Sequence, residues 1–165
     1  MRNLQKQLEC RITGKCRVAI LGVGSEIRGD DAAGMLVAKS IQKHIKIKRK
    51  KNIEVFLGET APENLTGEIK KFKPTHLLIV DSAEMGKKTG EFQLFGPEEV
   101  KGISFCTHQL PVKIMIDYLK HFIDCDIAII GIQPKHIAFN TKPSKEIISA
   151  VKCLTGVILE TLNIR

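Results

Sequence analysis

Residues 22–34, GVGSEIRGDDAAG, decide how this chain is read. They follow RVAIL (17–21), an apolar run that reads as a buried strand, and they lead into an apolar-striped helix predicted over 31–45. A strand, a glycine-rich turn and a helix commonly cradle a nucleotide phosphate. This turn departs from that pattern. Gly22 and Gly24 supply the first two glycines of a G-x-G-x-x-G fingerprint, but Ile27 stands where the third belongs. Asp30 and Asp31 fall where the helix starts, and their carboxylates compete with a phosphate for the same exposed N–H groups and helix dipole. Asp is also a favoured helix cap, which accounts for one of the pair, Asp30, more readily than for both. The turn is therefore better suited to a cation than to a pyrophosphate.

Outward from this turn, strands and helices alternate. Strands are predicted over 17–23, 53–57, 75–81, 90–95 and 126–132. THLLIVD (75–81) and DIAIIGI (126–132) are continuous apolar runs, as expected of strands covered on both faces. GEFQLF (90–95) alternates and is expected at an antiparallel edge. The helix over 31–45 carries Ala33, Leu36, Val37 and Ile41 on one face. A second helix starts near Pro62, with Leu65, Ile69 and Phe72 at helical spacing. A third covers 110–122, with Leu110, Ile114, Tyr118 and Phe122 every fourth residue. The last covers 144–162, with Ile147, Val151, Leu154 and Ile158 as its stripe. This order implies an α/β three-layer sandwich with a mostly parallel five-stranded sheet. No linker or repeat divides the chain, so 1–165 is expected to be a single domain with a basic N-terminal extension over 1–16.

Composition narrows the function classes. Hydrophobic residues make up 43% and charged residues 27% of the 165, the balance of a globular protein with a real core. No apolar run approaches the ~20 residues of a membrane span, and the start lacks an apolar signal region, so the expected location is cytoplasmic. The five cysteines form no C-x-x-C pair, which argues against a zinc ribbon or a disulfide framework. The net charge is +8, concentrated in the N-terminal segment and in KHIKIKRKK (43–51). Such a run suits nucleic acid or an acidic protein face. No aromatic platform accompanies it, and cations also suit a helix C-terminus, so nucleic acid is not an expected partner.

Ligands of α/β sheets bind beyond the carboxyl ends of the strands. Asp31 lies beyond the first strand, and Asp81 is read as the last residue of the third. His108, in CTHQLP, precedes the third helix, where the neutral imidazole is favoured. Two carboxylates and one imidazole make a three-ligand cation site with an open position for water or substrate. Turn formation and capping explain each residue singly. A cysteine nucleophile is the competing chemistry: Cys106 lies two residues before His108, but no orienting third group is evident.

At these residues the chain resembles the nickel–iron hydrogenase maturation endopeptidases, in particular the type that serves hydrogenase 3 large subunits. The resemblance rests on GVGSEIRGDDAAG (22–34), GETAPEN (58–64), KPTHLLIVDSAEMGKKTGE (73–91), THQLP (107–111) and GIQP (131–134), in that order. It implies the family's five-stranded α/β sandwich, with Asp31, Asp81 and His108 as metal ligands and as the catalytic set. It also implies an aspartyl endopeptidase that removes the C-terminal extension of a NiFe-hydrogenase large-subunit precursor. The nickel would be supplied by that precursor, with no organic cofactor. A non-proteolytic nickel-binding assembly chaperone is the alternative that the same three ligands would serve. The chain departs from the family at Ser25, where relatives carry Asn. It departs again at Leu57, where they carry an aspartate, with Glu59 two residues on. Cys106 stands where relatives carry a hydroxyl residue, which weakens the thiol reading.

Overall fold

The computed structural model describes residues 2–14, 16–100, 104–105 and 112–164. Its strands are β1 (Val18–Val23), β2 (Ile53–Glu59), β3 (His76–Glu84), β4 (Phe92–Phe95), β5 (Ser104–Phe105) and β6 (Asp126–Ile132). Its helices are α1 (Arg2–Arg11), α2 (Ala33–Lys48), α3 (Thr66–Phe72), α4 (Val112–Lys120) and α5 (Lys145–Thr161).

The sheet runs β2-β1-β3-β6-β4. β2, β1, β3 and β6 are parallel to one another, and β4 closes one edge antiparallel to β6. The apolar runs alternate faces residue by residue. Val18, Ile20, Leu78, Val80, Ala128 and Ile130 point into a core roofed by α1, α2 and α5. Ala19, Leu21, Leu77, Ile79, Ile127 and Ile129 point into the opposite core, under α3 and α4. Because every central strand feeds both cores, its sequence must be apolar throughout, and the result is the expected three-layer sandwich. The short β5 adds a sixth strand off this path, pairing antiparallel with the end of β3.

Glycines set how closely α2 approaches the sheet. A Cβ on Gly34 would collide with the carbonyl oxygens of Val80 and Val23. Gly24 has φ +131, and a Cβ there would collide with the Asp31 carbonyl. The glycine-rich turn thus curls onto its own helix, and the space a phosphate would take beside Gly24 is filled by backbone.

Three expectations change. The segment read as a basic tail is α1, whose Leu4 and Leu8 are 6% and 1% exposed in the core beside α5. Burying them contributes about 2 kcal/mol each. Arg11 ends this helix and pairs with Asp126 at 2.9 Å. Pro62 opens a 3-10 turn, Pro62–Leu65, and the α-helix begins only at Thr66. On α4 the buried stripe is Val112, Met115, Ile116 and Leu119, while Ile114, Tyr118 and Phe122 are exposed. Steps of four drift by ~40° per turn against the 3.6-residue period, so a mixed i, i+3, i+4, i+7 set stays on one face. The predicted stripe of the last helix holds: Ile147, Val151, Leu154 and Ile158 are all buried on α5. Residues 43–48 of the basic run form the last turns of α2, and Arg49 caps it in the left-handed conformation, with Lys50 and Lys51 beyond. Among the described residues, no helix is long and apolar enough to cross a membrane.

Candidate functional site

The chain leaves β1 for α2 on one face of the sheet and enters β3 from α3 on the other, so the carboxyl ends of β1 and β3 form the switch point at which ligands of such sheets bind. β1 stays paired with β3 only as far as Gly22 opposite Val80. Beyond that point β3 continues to Glu84, held by Asp81 opposite Gly131 and Ser82 opposite Ile132 on β6, and by β5 further on. Asp81 is therefore not the strand's last residue, as expected from the sequence, but lies within it where β1 has departed.

The turn carrying Asp30 and Asp31 (Gly29–Ala32, a 3-10 helix) packs against β3 beyond that point. The Ser82 hydroxyl donates to the Asp30 carbonyl at 2.8 Å, stitching this turn to β3 one residue from Asp31 on one side and from Asp81 on the other. Asp31 and Asp81 are both completely buried. The Ser25 N–H donates to Asp31 Oδ2 at 3.0 Å, and the Ser82 N–H donates to Asp81 Oδ1 at 2.7 Å, so both carboxylates have fixed orientations. The structure thus brings two of the three expected residues to one rim. His108 and Cys106 lie outside the described residues. Among the described residues, no cluster of three metal-ligating side chains forms.

Asp30 is not the helix cap the sequence allows. Its buried carboxylate accepts from Lys135 N–H at 2.7 Å, His136 N–H at 3.4 Å, Ser144 N–H at 2.6 Å and the Ser144 hydroxyl at 3.0 Å. It closes the 133–144 loop against the turn, and Gly29 N–H to the Thr141 carbonyl and Asn140 N–H to the Ile27 carbonyl continue the seam. Gln133, 4% exposed, does the same for the loop after β3. Its Oε1 accepts from Met85 and Lys87 N–H at 2.8 and 3.1 Å, and its Nε2 donates to Glu84 at 2.8 Å. The only sequence signal for either hub was its place in GDD and GIQP. The loop is tied to α5 by Lys135 and Glu146 at 3.5 Å. The Glu146 carboxyl is held below the ordinary carboxylate range, first by its own backbone N–H and then by the Lys135 ammonium.

The arrangement is two oriented, buried carboxylates near the carboxyl ends of β1 and β3, with a third, Asp30, tying the adjacent loop to the same turn. It suits binding of a cation and polarisation of whatever that cation carries.

The family model described as hydrogenase maturation protease (HycI) matches residues 35–161, a span that contains Asp81 and His108 and begins just after Asp31. A Methanocaldococcus jannaschii relative with the same family assignment is 40% identical over 127 residues, 74% of this chain and 75% of its own. The hydrogenase 3 maturation protease of Escherichia coli K12 is 35% identical over 136 residues, 80% of this chain and 84% of its own. The crystal structure of the [NiFe] hydrogenase maturation protease HycI from Thermococcus kodakarensis superposes with a TM-score of 0.86. It is 34% identical and covers 95% of this chain and 99% of that one. Matching this widely in both sequence and fold, the chain belongs to the hydrogenase maturation protease family.

Proposed function

We propose that this protein is the endopeptidase that removes the C-terminal extension of a nickel-loaded NiFe-hydrogenase large-subunit precursor. In this reading Asp31, Asp81 and His108 recognise the nickel that the precursor carries. The observation that carries it is the meeting of Asp31 and Asp81, both wholly buried, at one rim of a hydrogenase maturation protease fold. Burying two carboxylates is costly unless a cation or strong donors meet them. A carboxylate, carboxylate and imidazole set suits a borderline divalent ion such as nickel. The metal belongs to the substrate and supplies a Lewis acid beside the scissile carbonyl. The protein positions that carbonyl, and hydrolysis adds water across one C–N bond to release a carboxylate and an amine.

The test is incubation of the purified protein with nickel-loaded and nickel-free precursor. A shortened product only from the loaded precursor is expected. Asp31→Asn, Asp81→Asn and His108→Ala should each lower its rate about 100-fold or more, with melting temperatures near that of the wild type. Equal cleavage of nickel-free precursor would refute metal recognition. Tight binding of loaded precursor with no product would make the protein a non-proteolytic nickel-binding assembly chaperone.

A further inference from the structure

β4 enters the sheet through a one-residue bulge. Gly90, at φ +81, donates its N–H to the Gln133 carbonyl at 2.9 Å, and the Gln133 N–H donates to the Glu91 carbonyl at 2.8 Å. That fixes which backbone groups face β6. Gln93 and Phe95 exchange bonds with Gly131 and Ile129, so Phe92 and Leu94 turn their N–H and C=O groups away from β6. Among the described residues, nothing hydrogen-bonds to those outward groups. A row of unpaired donors and acceptors along a sheet edge is a template for another strand.

Space for one is present. A cavity of about 740 Å³ lies between the start of β4 and α5, over Phe92, Ala150 and Cys153. A second, of about 430 Å³, continues where α1 meets β4 and shares Lys87 and Phe92 with the first. A third, of about 390 Å³, shares Gln7, Leu94 and Glu99 with the second. Together they follow the whole strand. The floor is mainly apolar in the first and third cavities and polar in the second, where Asn3, Gln7 and Gln93 line it, and the rim carries Lys6, Lys87, Lys88 and Lys145, none of which has an ion pair among the described residues. Of the acids nearby, Glu146 is taken by Lys135 and Glu99 by the Gly96 N–H, which leaves Glu91 as one carboxylate on the lining against four lysines. A second copy of this chain would set these lysines against their equals, so an acidic polypeptide fits better. The groove's upper end, at Lys87, is the loop that Gln133 ties to the carboxyl end of β3 beside the candidate site.

We infer that the outer edge of β4 docks an extended segment of the substrate polypeptide, alternating acidic and apolar residues, as an added antiparallel or parallel strand. The inference rests on the protease reading for the identity of the polypeptide, but its contacts lie away from Asp31 and Asp81.

Two readouts separate this inference from that reading. The first is KM and kcat for cleavage of nickel-loaded precursor. The second is calorimetric affinity of the same precursor for the wild type at a temperature and time where turnover is negligible, and for Asp31→Asn. In an Asp31→Asn background, Lys87→Glu with Lys88→Glu should weaken binding about tenfold, and raised salt should weaken the parent toward the same value. In the otherwise wild-type chain the lysine pair should raise KM about tenfold and leave kcat within twofold. Leu94→Pro, which removes an outward N–H and no bond to β6, should do the same, while Leu94→Ala should not. The lysine pair does not touch the core and keeps the test valid if Leu94→Pro fails to fold. Unchanged affinity and KM in the lysine pair would overturn the docking site. So would a dimer of the free chain that Leu94→Pro dissociates. Binding that responds to these changes without any cleavage would sustain the docking site and refute the protease.

Discussion

Asp30→Asn is the perturbation that separates the two adjacent aspartates most clearly. The wild-type carboxylate accepts two backbone N–H groups and a hydroxyl on Oδ2, and another backbone N–H on Oδ1. An asparagine keeps the shape but replaces one oxygen with an NH2 donor. If the NH2 takes the Oδ1 place, it faces Ser144 N–H. If it takes the Oδ2 place, it faces Lys135 and His136 N–H, while the Ser144 hydroxyl can turn and accept. Either way at least one buried backbone donor loses a charged acceptor and meets another donor. Hydrogen bonds to charged groups contribute about 1.5–3 kcal/mol, and an unsatisfied buried donor adds a cost of similar size, so a loss of about 3 kcal/mol is expected. For a chain of this length that lowers Tm by about 9 °C. Thermal and urea unfolding of Asp30→Asn beside Asp31→Asn check it. Asp30→Asn should unfold early, with hydrogen exchange faster at Lys135, His136 and Ser144, whereas Asp31→Asn should lose cleavage while melting close to wild type. A melting temperature for Asp30→Asn within about 2 °C of wild type, under about 1 kcal/mol for a chain of this length, would refute the view that this carboxylate holds the loop.

Two other outcomes follow from the packing. Gly34→Ala drives a methyl into the Val80 and Val23 carbonyls and should cost about 3 kcal/mol or abolish soluble expression. Gly67→Ala, in α3 with open space around it, should instead raise Tm slightly, by the ~0.4–1 kcal/mol of lost unfolded-state freedom. The Cys125 thiol is pushed up to about 12, mainly by burial and then by the Asp126 and Asp124 carboxylates. The unfolded thiol ionises near 8.5, so the folded form holds the extra proton and stability is unaffected below that pH. Stability should fall as pH rises from there toward 12, and Cys125→Ala should remove this part of the slope in urea unfolding at pH 7 and 10.5. At pH 7.5 alkylation should label exposed Cys10 well before Cys125.

The local pattern was enough to read the three layers. Continuous apolar runs at 75–81 and 126–132 can only be satisfied by a strand covered on both sides, and the turn at 22–34 marked itself by carrying carboxylates where a phosphate would bind. The nearness of Asp31 and Asp81 was legible from one rule, that ligands of such sheets meet the carboxyl ends of strands, although Asp81 lies inside β3 at the point where β1 has left it.

What the sequence by itself determined is thus whatever depends on neighbours in the chain: the order of strands and helices, the stripe of α5, the acidic turn after β1 and its family. Only the tertiary structure decided the rest. Asp30 became a hub through donors more than a hundred residues away. β3 ran past Asp81 because β6 and β5 supplied pairing that β1 had withdrawn. Ile114, Tyr118 and Phe122 fell outward, and Leu4 and Leu8 inward, according to which helix faces met the sheet and α5. Periodicity is a local property, but burial and hydrogen-bond partners are set by what the folded chain brings alongside.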